Sequence, residues 1–306
     1  MSIDPGISRR GLILGTLAMA GCAGRRDLDG DTSDQAQFMT VGDARLRYLT
    51  AGKGRPVVCI HGASGNLGDW SFGPMQRLAT NRHVIAFDRP GLGLSDPVEP
   101  VESLTTQARI LRQATARLGH DRVTLVGHSY GGAVALAWAL DAPDSVDGMI
   151  LLGAPNQVWP NNISMFYDIM NVPILGSVLA RTLPSFASNA RIEAAVAEIF
   201  APQTPPPGYL AHLRPELSLK PAVVRANARQ MGNLKPQIAA MVPHYPELPM
   251  PIEVIHGTAD SIVPIAIHAE KFVTQAPKSR LTRLEGVGHM PHHAAPDALD
   301  AALARL

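Results

Sequence analysis

Apolar residues in this chain gather into short runs bounded by glycine, proline and aspartate, the pattern of strands buried in a sheet. Residues 37–41 and 45–51 flank Gly42-Asp43 and predict an opening hairpin. Further strands are predicted at 56–60, 83–87, 123–126, 149–152, 251–256 and 280–284. Between them the period lengthens. Residues 103–118 read as a helix with Ser103 as N-cap and Gly119 as stop. The Ala-rich stretch after Gly131-Gly132 reads as another helix.

From about 156 to 247 the strand-helix alternation stops. Helical patterns at 191–200 and 222–231 are separated by the Pro-rich 201–208, which predicts a helical insertion before the strand at 251. Trp159, Met165, Phe166, Tyr167, Ile169, Met170 and Leu175 are its candidates for lining an acyl or alkyl pocket. Taken singly, each is explained more simply as packing, because a helix buries an apolar face wherever it sits.

Composition narrows the function classes. A 306-residue chain with 46% hydrophobic content can bury a large core and carry an insertion. Its formal net charge of +1 offers no basic surface to nucleic acid. No run of 18 apolar residues is present to span a bilayer.

The amino terminus carries its own signal. Ser8-Arg9-Arg10 precedes the uncharged run 11–21, which has the length of a signal-peptide core and resembles a twin-arginine export signal. Met19-Ala20-Gly21-Cys22 resembles a bacterial lipoprotein cleavage box, which implies lipidation of Cys22. Residues 1–21 are therefore expected to be a signal peptide, and the polar residues 22–36 a tether. The expected location is periplasmic or membrane-anchored, with membrane contact only through that lipid; a leader that is not a signal would leave the protein cytoplasmic. The only other cysteine, Cys59, then has no disulfide partner and reads as a small core residue.

Candidate chemistry centres on Gly127-His128-Ser129-Tyr130-Gly131, a strand, turn and helix with a serine at the apex. A serine hydroxyl needs a base to take its proton, and the base needs a carboxylate to fix its tautomer. Downstream, the strand at 251–256 runs into a loop presenting Asp260, and the strand at 280–284 runs into Glu285-Gly286-Val287-Gly288-His289. His292 and His293 compete as the base, but they fall where a helix begins, whereas the His289 loop follows the last strand directly. For the oxyanion, the loop His61-Gly62-Ala63-Ser64-Gly65-Asn66 nominates the amides of Ala63 and Tyr130. His128 and His61 are expected to bond locally, and Asp88 and Asp121 to cap or pair near strand ends. No HExxH spacing or cysteine cluster suggests a metal, and no cofactor is implied.

Five motifs in one order carry a resemblance: HGASGN, DRPGLGLS, GHSYGG, HGTADSIVP and GVGHMPHH. Together they resemble the α/β-hydrolase superfamily over residues 37–155 and 248–306. The resemblance implies an α/β fold, a mostly parallel sheet flanked by helices, with an α-helical cap at 156–247. Relatives similar to epoxide hydrolases and haloalkane dehalogenases carry aspartate at the elbow; Ser129 implies ester chemistry on a small acyl substrate. Acyl transfer, perhydrolysis and C–C hydrolysis use the same triad and stay open, as does a slow-turnover ligand receptor of this fold.

Overall fold

A computed structural model describes residues 36–160, 167, 169–170, 172–182 and 187–306, with backbone alone for 173–175. The expected signal peptide, the tether up to residue 35 with Cys22, and the side chains of Met165, Phe166 and Leu175 lie outside the described residues. Among the described residues, no helix is long and apolar enough to cross a membrane.

Eight strands form one sheet: β1 Gln37–Val41, β2 Ala44–Ala51, β3 Arg55–Ile60, β4 Arg82–Phe87, β5 Val123–His128, β6 Val146–Leu152, β7 Ile252–Gly257 and β8 Ser279–Leu284. Their order is β1-β2-β4-β3-β5-β6-β7-β8. Only the β1–β2 and β2–β4 pairs are antiparallel; from β4 to β8 every pair is parallel.

The unbroken apolar strands follow from a sheet covered on both faces. Along β3, Val58 and Ile60 enter one core cluster and Val57 and Cys59 the other; β4 divides Ile85 and Phe87 from Val84 and Ala86, and β6 divides Met149 and Leu151 from Ile150 and Leu152. The first cluster is covered by the helices Leu104–Arg117, Tyr130–Asp141, Leu234–Met241 and Ala269–Gln275. The second is covered by the short helices Gly68–Ser71 and Pro74–Leu78 and by Pro296–Ala304. Ser103 caps the first of these helices through the Thr106 N–H at 3.1 Å, and Gly119 follows it with φ 86°.

Between β6 and β7 the described elements are helices. Pro173–Thr182, Asn189–Phe200, Tyr209–Leu213, Pro215–Ser218, Pro221–Gly232 and Leu234–Met241 succeed one another. Leu234, Ile238 and Tyr245 are buried in the first core cluster, so the end of this stretch packs with the core. The order of strands places β3 beside β5, which brings the loops after these two strands together at the carboxyl edge of the sheet. Ligands of open α/β sheets bind at such an edge.

Candidate active site

Ser129 joins β5 to the Tyr130–Asp141 helix with φ 51° and ψ −124°, a strained region for a residue with a side chain. The turn holds because strand and helix meet through glycines. A Cβ on Gly131 would lie 2.1 Å from the Ile60 carbonyl oxygen, and one on Gly127 would lie 2.5 Å from the Gly131 carbonyl oxygen. No other residue fits either position, and the serine is held at the apex.

The loops after β7 and β8 bring Asp260 and His289 together. His289 Nδ1 lies 2.7 Å from Asp260 Oδ2. The carboxylate accepts, so Nδ1 carries the proton and Nε2 is left as a lone pair. Asp260 Oδ1 accepts the N–H groups of Ile262 at 3.0 Å and Val263 at 2.8 Å. Burial raises the Asp260 carboxyl, but hydrogen bonds from His256 and His289 and the charge of His289 outweigh it and hold the group well below the carboxylate range. Gln203, from the Pro-rich segment, clamps the histidine loop from both sides: its Nε2 donates to Gly286 O at 2.8 Å and its Oε1 accepts from Gly288 N at 2.9 Å.

The loop after β3 reaches over the serine. A Cβ on Gly62 would lie 3.2 Å from Ser129 Cβ. Neither the Ala63 N–H nor the Tyr130 N–H has an acceptor among the described residues. Arg89 fixes this loop from beneath. Its guanidinium donates to His61 O at 2.9 Å, Gly62 O at 3.1 Å, and Gln107 and Gln230 at 2.7 Å each, and it stacks 4.3 Å over the Tyr130 ring. Burial lowers its pKa to about 10, which keeps it charged. Asp88 supports the neighbouring turn by accepting the N–H groups of Leu67 and Leu94; Asp121 is exposed.

Ser129, His289, Gly62 and Ala63 line one cavity of about 670 Å³, a volume suited to a small ligand. Its apolar wall is built by Ile192, Val196 and Ile199 of the Asn189–Phe200 helix, with Leu213, Val224 and Met231. Of the residues nominated from the sequence, Tyr167 lines the cavity. Trp159 instead packs near His268 and the main core, and Met170 sits in a small cluster with Ala180 and Ala228. Periodicity marks which helices are amphipathic, not which face turns to the cavity.

Residues 57–302 match the sequence profile of the alpha/beta hydrolase family. The chain belongs to that family. An uncharacterised protein of Mycobacterium tuberculosis is 30% identical over 268 residues, which span 85% of this chain and 77% of that protein. A 2-hydroxy-6-oxo-6-phenylhexa-2,4-dienoate hydrolase of Comamonas testosteroni is 35% identical over 133 residues, 41% of this chain and 46% of that enzyme. In fold, the hydrolase is similar to an alpha/beta hydrolase fold protein from Burkholderia ambifaria, with a TM-score of 0.76 at 22% identity over 90% of this chain and 98% of that one.

One part of this hydrolase's site has no signature in the sequence. Asp69, buried in the Gly68–Ser71 helix, also lines the cavity. Its Oδ1 accepts the Tyr209 hydroxyl at 2.9 Å and lies 2.9 Å from His293 Nε2, while Oδ2 lies 3.2 Å from His292 Nε2. Burial raises this carboxyl, and the charge and hydrogen bonds of the two histidines outweigh that and hold it well below its ordinary range. His292 and His293 thus converge on Asp69, and of these three histidines His289 is the one paired with Asp260.

Buried histidines give the hydrolase a pH-dependent stability with a defined sign. Burial, aided by the Arg89 charge, lowers His61 to about 3, and burial lowers His268 to about 4. His128 and His292 are also lowered, burial again being the largest cause. The unfolded chain takes up these protons near pH 6.5, so stability is complete above that value and is lost as pH falls toward the folded values. Asp69 and Asp260 act in a separate window: being depressed, they stabilise above about pH 4 and lose that contribution below it. Tm is therefore expected to fall by about 5 °C from pH 7.5 to 5. A thermal-denaturation series that is flat over this interval contradicts the neutral buried imidazoles.

Proposed function

We propose that the chain is a serine hydrolase that cleaves a carboxylic ester through an acyl-enzyme, with Ser129 as nucleophile, His289 as base and Asp260 as its orienting carboxylate. The observation that carries the reading is the His289–Asp260 pair, whose geometry leaves Nε2 basic on the wall of the cavity that Ser129 also lines. In this mechanism His289 Nε2 takes the Ser129 hydroxyl proton as Oγ attacks the carbonyl carbon. The oxyanion is held by the Ala63 and Tyr130 amides, a fixed pair of donors that strengthens as charge develops. The protonated His289 then gives its proton to the leaving alcohol. Water, deprotonated by the same nitrogen, releases the acid and restores the serine.

C–C bond hydrolysis is the second reading, favoured by the Comamonas relative whose name states such a substrate. Acyl transfer and perhydrolysis share the acyl-enzyme and differ only in the acceptor. The amino-terminal signals support an exported enzyme anchored through Cys22, acting on esters outside the cytoplasm.

The test is a fluorophosphonate probe, read by intact mass and peptide mapping. One adduct on Ser129, lost in His289→Ala, is the expected result. No adduct on folded protein, or an adduct on another residue, overturns the assignment and turns attention to a ligand-binding role. For an active protein, product analysis with an ester and a dienoate ketone, each in competing alcohol and peroxide, separates the readings.

A further inference from the structure

Beside the serine lies a cluster that the hydrolytic mechanism does not use. Asp69, His292 and His293 place one carboxylate oxygen and two imidazole nitrogens within 4.8 Å of one another. The Asp69 oxygens are 3.2 Å from His292 Nε2 and 2.9 Å from His293 Nε2. Ligands bound tetrahedrally at zinc distances lie about 3.3 Å apart, close to the separation of each histidine nitrogen from its Asp69 oxygen.

A fourth group shows that protein atoms alone leave the cluster incomplete. His128 Nε2 lies 2.8 Å from the His289 carbonyl oxygen. A carbonyl can only accept, so Nε2 carries the proton and the neutral ring presents Nδ1 as a lone pair. That nitrogen is buried without a hydrogen-bond partner, 3.8 Å from Asp69 Oδ2. A bare lone pair beside a carboxylate oxygen is a repulsive arrangement unless a positive centre lies against both.

We propose that Asp69, His292 and His293 form a site for a divalent transition-metal cation of the zinc class, with His128 Nδ1 closing one side. Two imidazoles and a carboxylate are a donor set for Zn²⁺, Co²⁺ or Ni²⁺, not for Mg²⁺ or Ca²⁺, which take oxygen ligands. Loading needs no outside reagent. The two ring protons move from Nε2 to Nδ1, freeing Nε2 lone pairs for the metal, and Asp69 binds as the anion it already is. His292 Nδ1 is unpartnered in the structure and stays so in the loaded site. Asp69 and His128 both line the cavity, which gives the cation a path from solvent and leaves its open position toward the ligand space beside Ser129.

The experiment uses tag-free protein dialysed against chelator, titrated with Zn²⁺ by calorimetry and with Co²⁺ by visible absorption. The expected result is one Zn²⁺ per chain, Co²⁺ bands of a low-coordinate nitrogen and oxygen site, and a Tm rise of about 5 °C at a hundredfold excess over Kd. Binding is expected to persist in Ser129→Ala and to be lost in Asp69→Asn and His293→Gln. The half-exposed His83–His120 pair, whose ring nitrogens lie 2.8 Å apart, is the control. Loss of binding in His120→Ala with retention in His293→Gln overturns the proposal. So does the absence of stoichiometric binding by the unsubstituted protein at millimolar Zn²⁺. Should both cluster variants fail to fold, the Co²⁺ spectrum of the unsubstituted protein decides, since bands of octahedral, all-oxygen coordination contradict the site.

Discussion

Ser129→Ala is expected to lower ester turnover by about 10⁶-fold while leaving the fold in place. In the proposed mechanism the substitution removes the atom that becomes covalently bound to the acyl group. What persists is binding and oxyanion stabilisation, worth roughly 10³ to 10⁴ over water in serine hydrolases. Stability is expected to change little. Alanine keeps the Cβ, so the φ of 51° is as strained as before, and the backbone bond from residue 129 N–H to Leu152 O at 2.9 Å does not involve the side chain. Initial rates on a nitrophenyl ester, with Tm on the same sample, check both halves. A rate within tenfold of the unsubstituted enzyme would remove Ser129 from the mechanism, whereas a collapse in Tm would make the lost rate uninformative.

How much of this was legible beforehand depends on how local the cause is. All eight strands are legible, the central ones as short apolar runs closed by turn residues and β2 and β8 as polar-apolar alternation. The start of β6 was the hardest to read: Val146-Asp147-Gly148 breaks the run, and the structure explains Gly148 by the Leu306 side chain, which a Cβ would approach to 3.1 Å. The one-turn helices Gly68–Ser71 and Pro74–Leu78 are too short to show any period. The turn at Ser129 and the loops that pair Asp260 with His289 are legible because strand-to-loop wording fixes each within a few residues. The Asp69 cluster was not, since its members are 223 and 224 residues apart and only the packing of the Gly68–Ser71 helix against the Pro291–Ala294 helix brings them together. Arg89 is a similar case. Its sequence neighbours mark a turn, but only the fold shows that it ties the carbonyls of His61 and Gly62 and so shapes the loop over Ser129.

Asp260→Asn is expected to cost about 10⁴-fold in kcat, with KM nearly unchanged. The carboxylate makes two contributions that an amide cannot. It accepts the Nδ1 proton of His289, which keeps the basic lone pair on Nε2; asparagine can present its NH₂ instead, favouring the tautomer whose Nε2 is already protonated. In the proposed mechanism it also supplies a negative charge to the imidazolium that forms as Ser129 attacks. The backbone N–H groups of Ile262 and Val263 can still bond the asparagine oxygen, so the loop geometry is retained and the loss is confined to chemistry. The pH dependence separates this from a merely structural effect. Asp260 is held ionised well below the carboxylate range, so its own titration does not shape the rate near neutrality. The variant should instead regain rate as pH rises into the range where hydroxide replaces the missing base. A kcat within tenfold of the unsubstituted enzyme would mean that another carboxylate orients His289. The test is sharp because Asp69, the buried acid that lines the cavity, is engaged by His292, His293 and Tyr209, so a retained rate would require that cluster to rearrange.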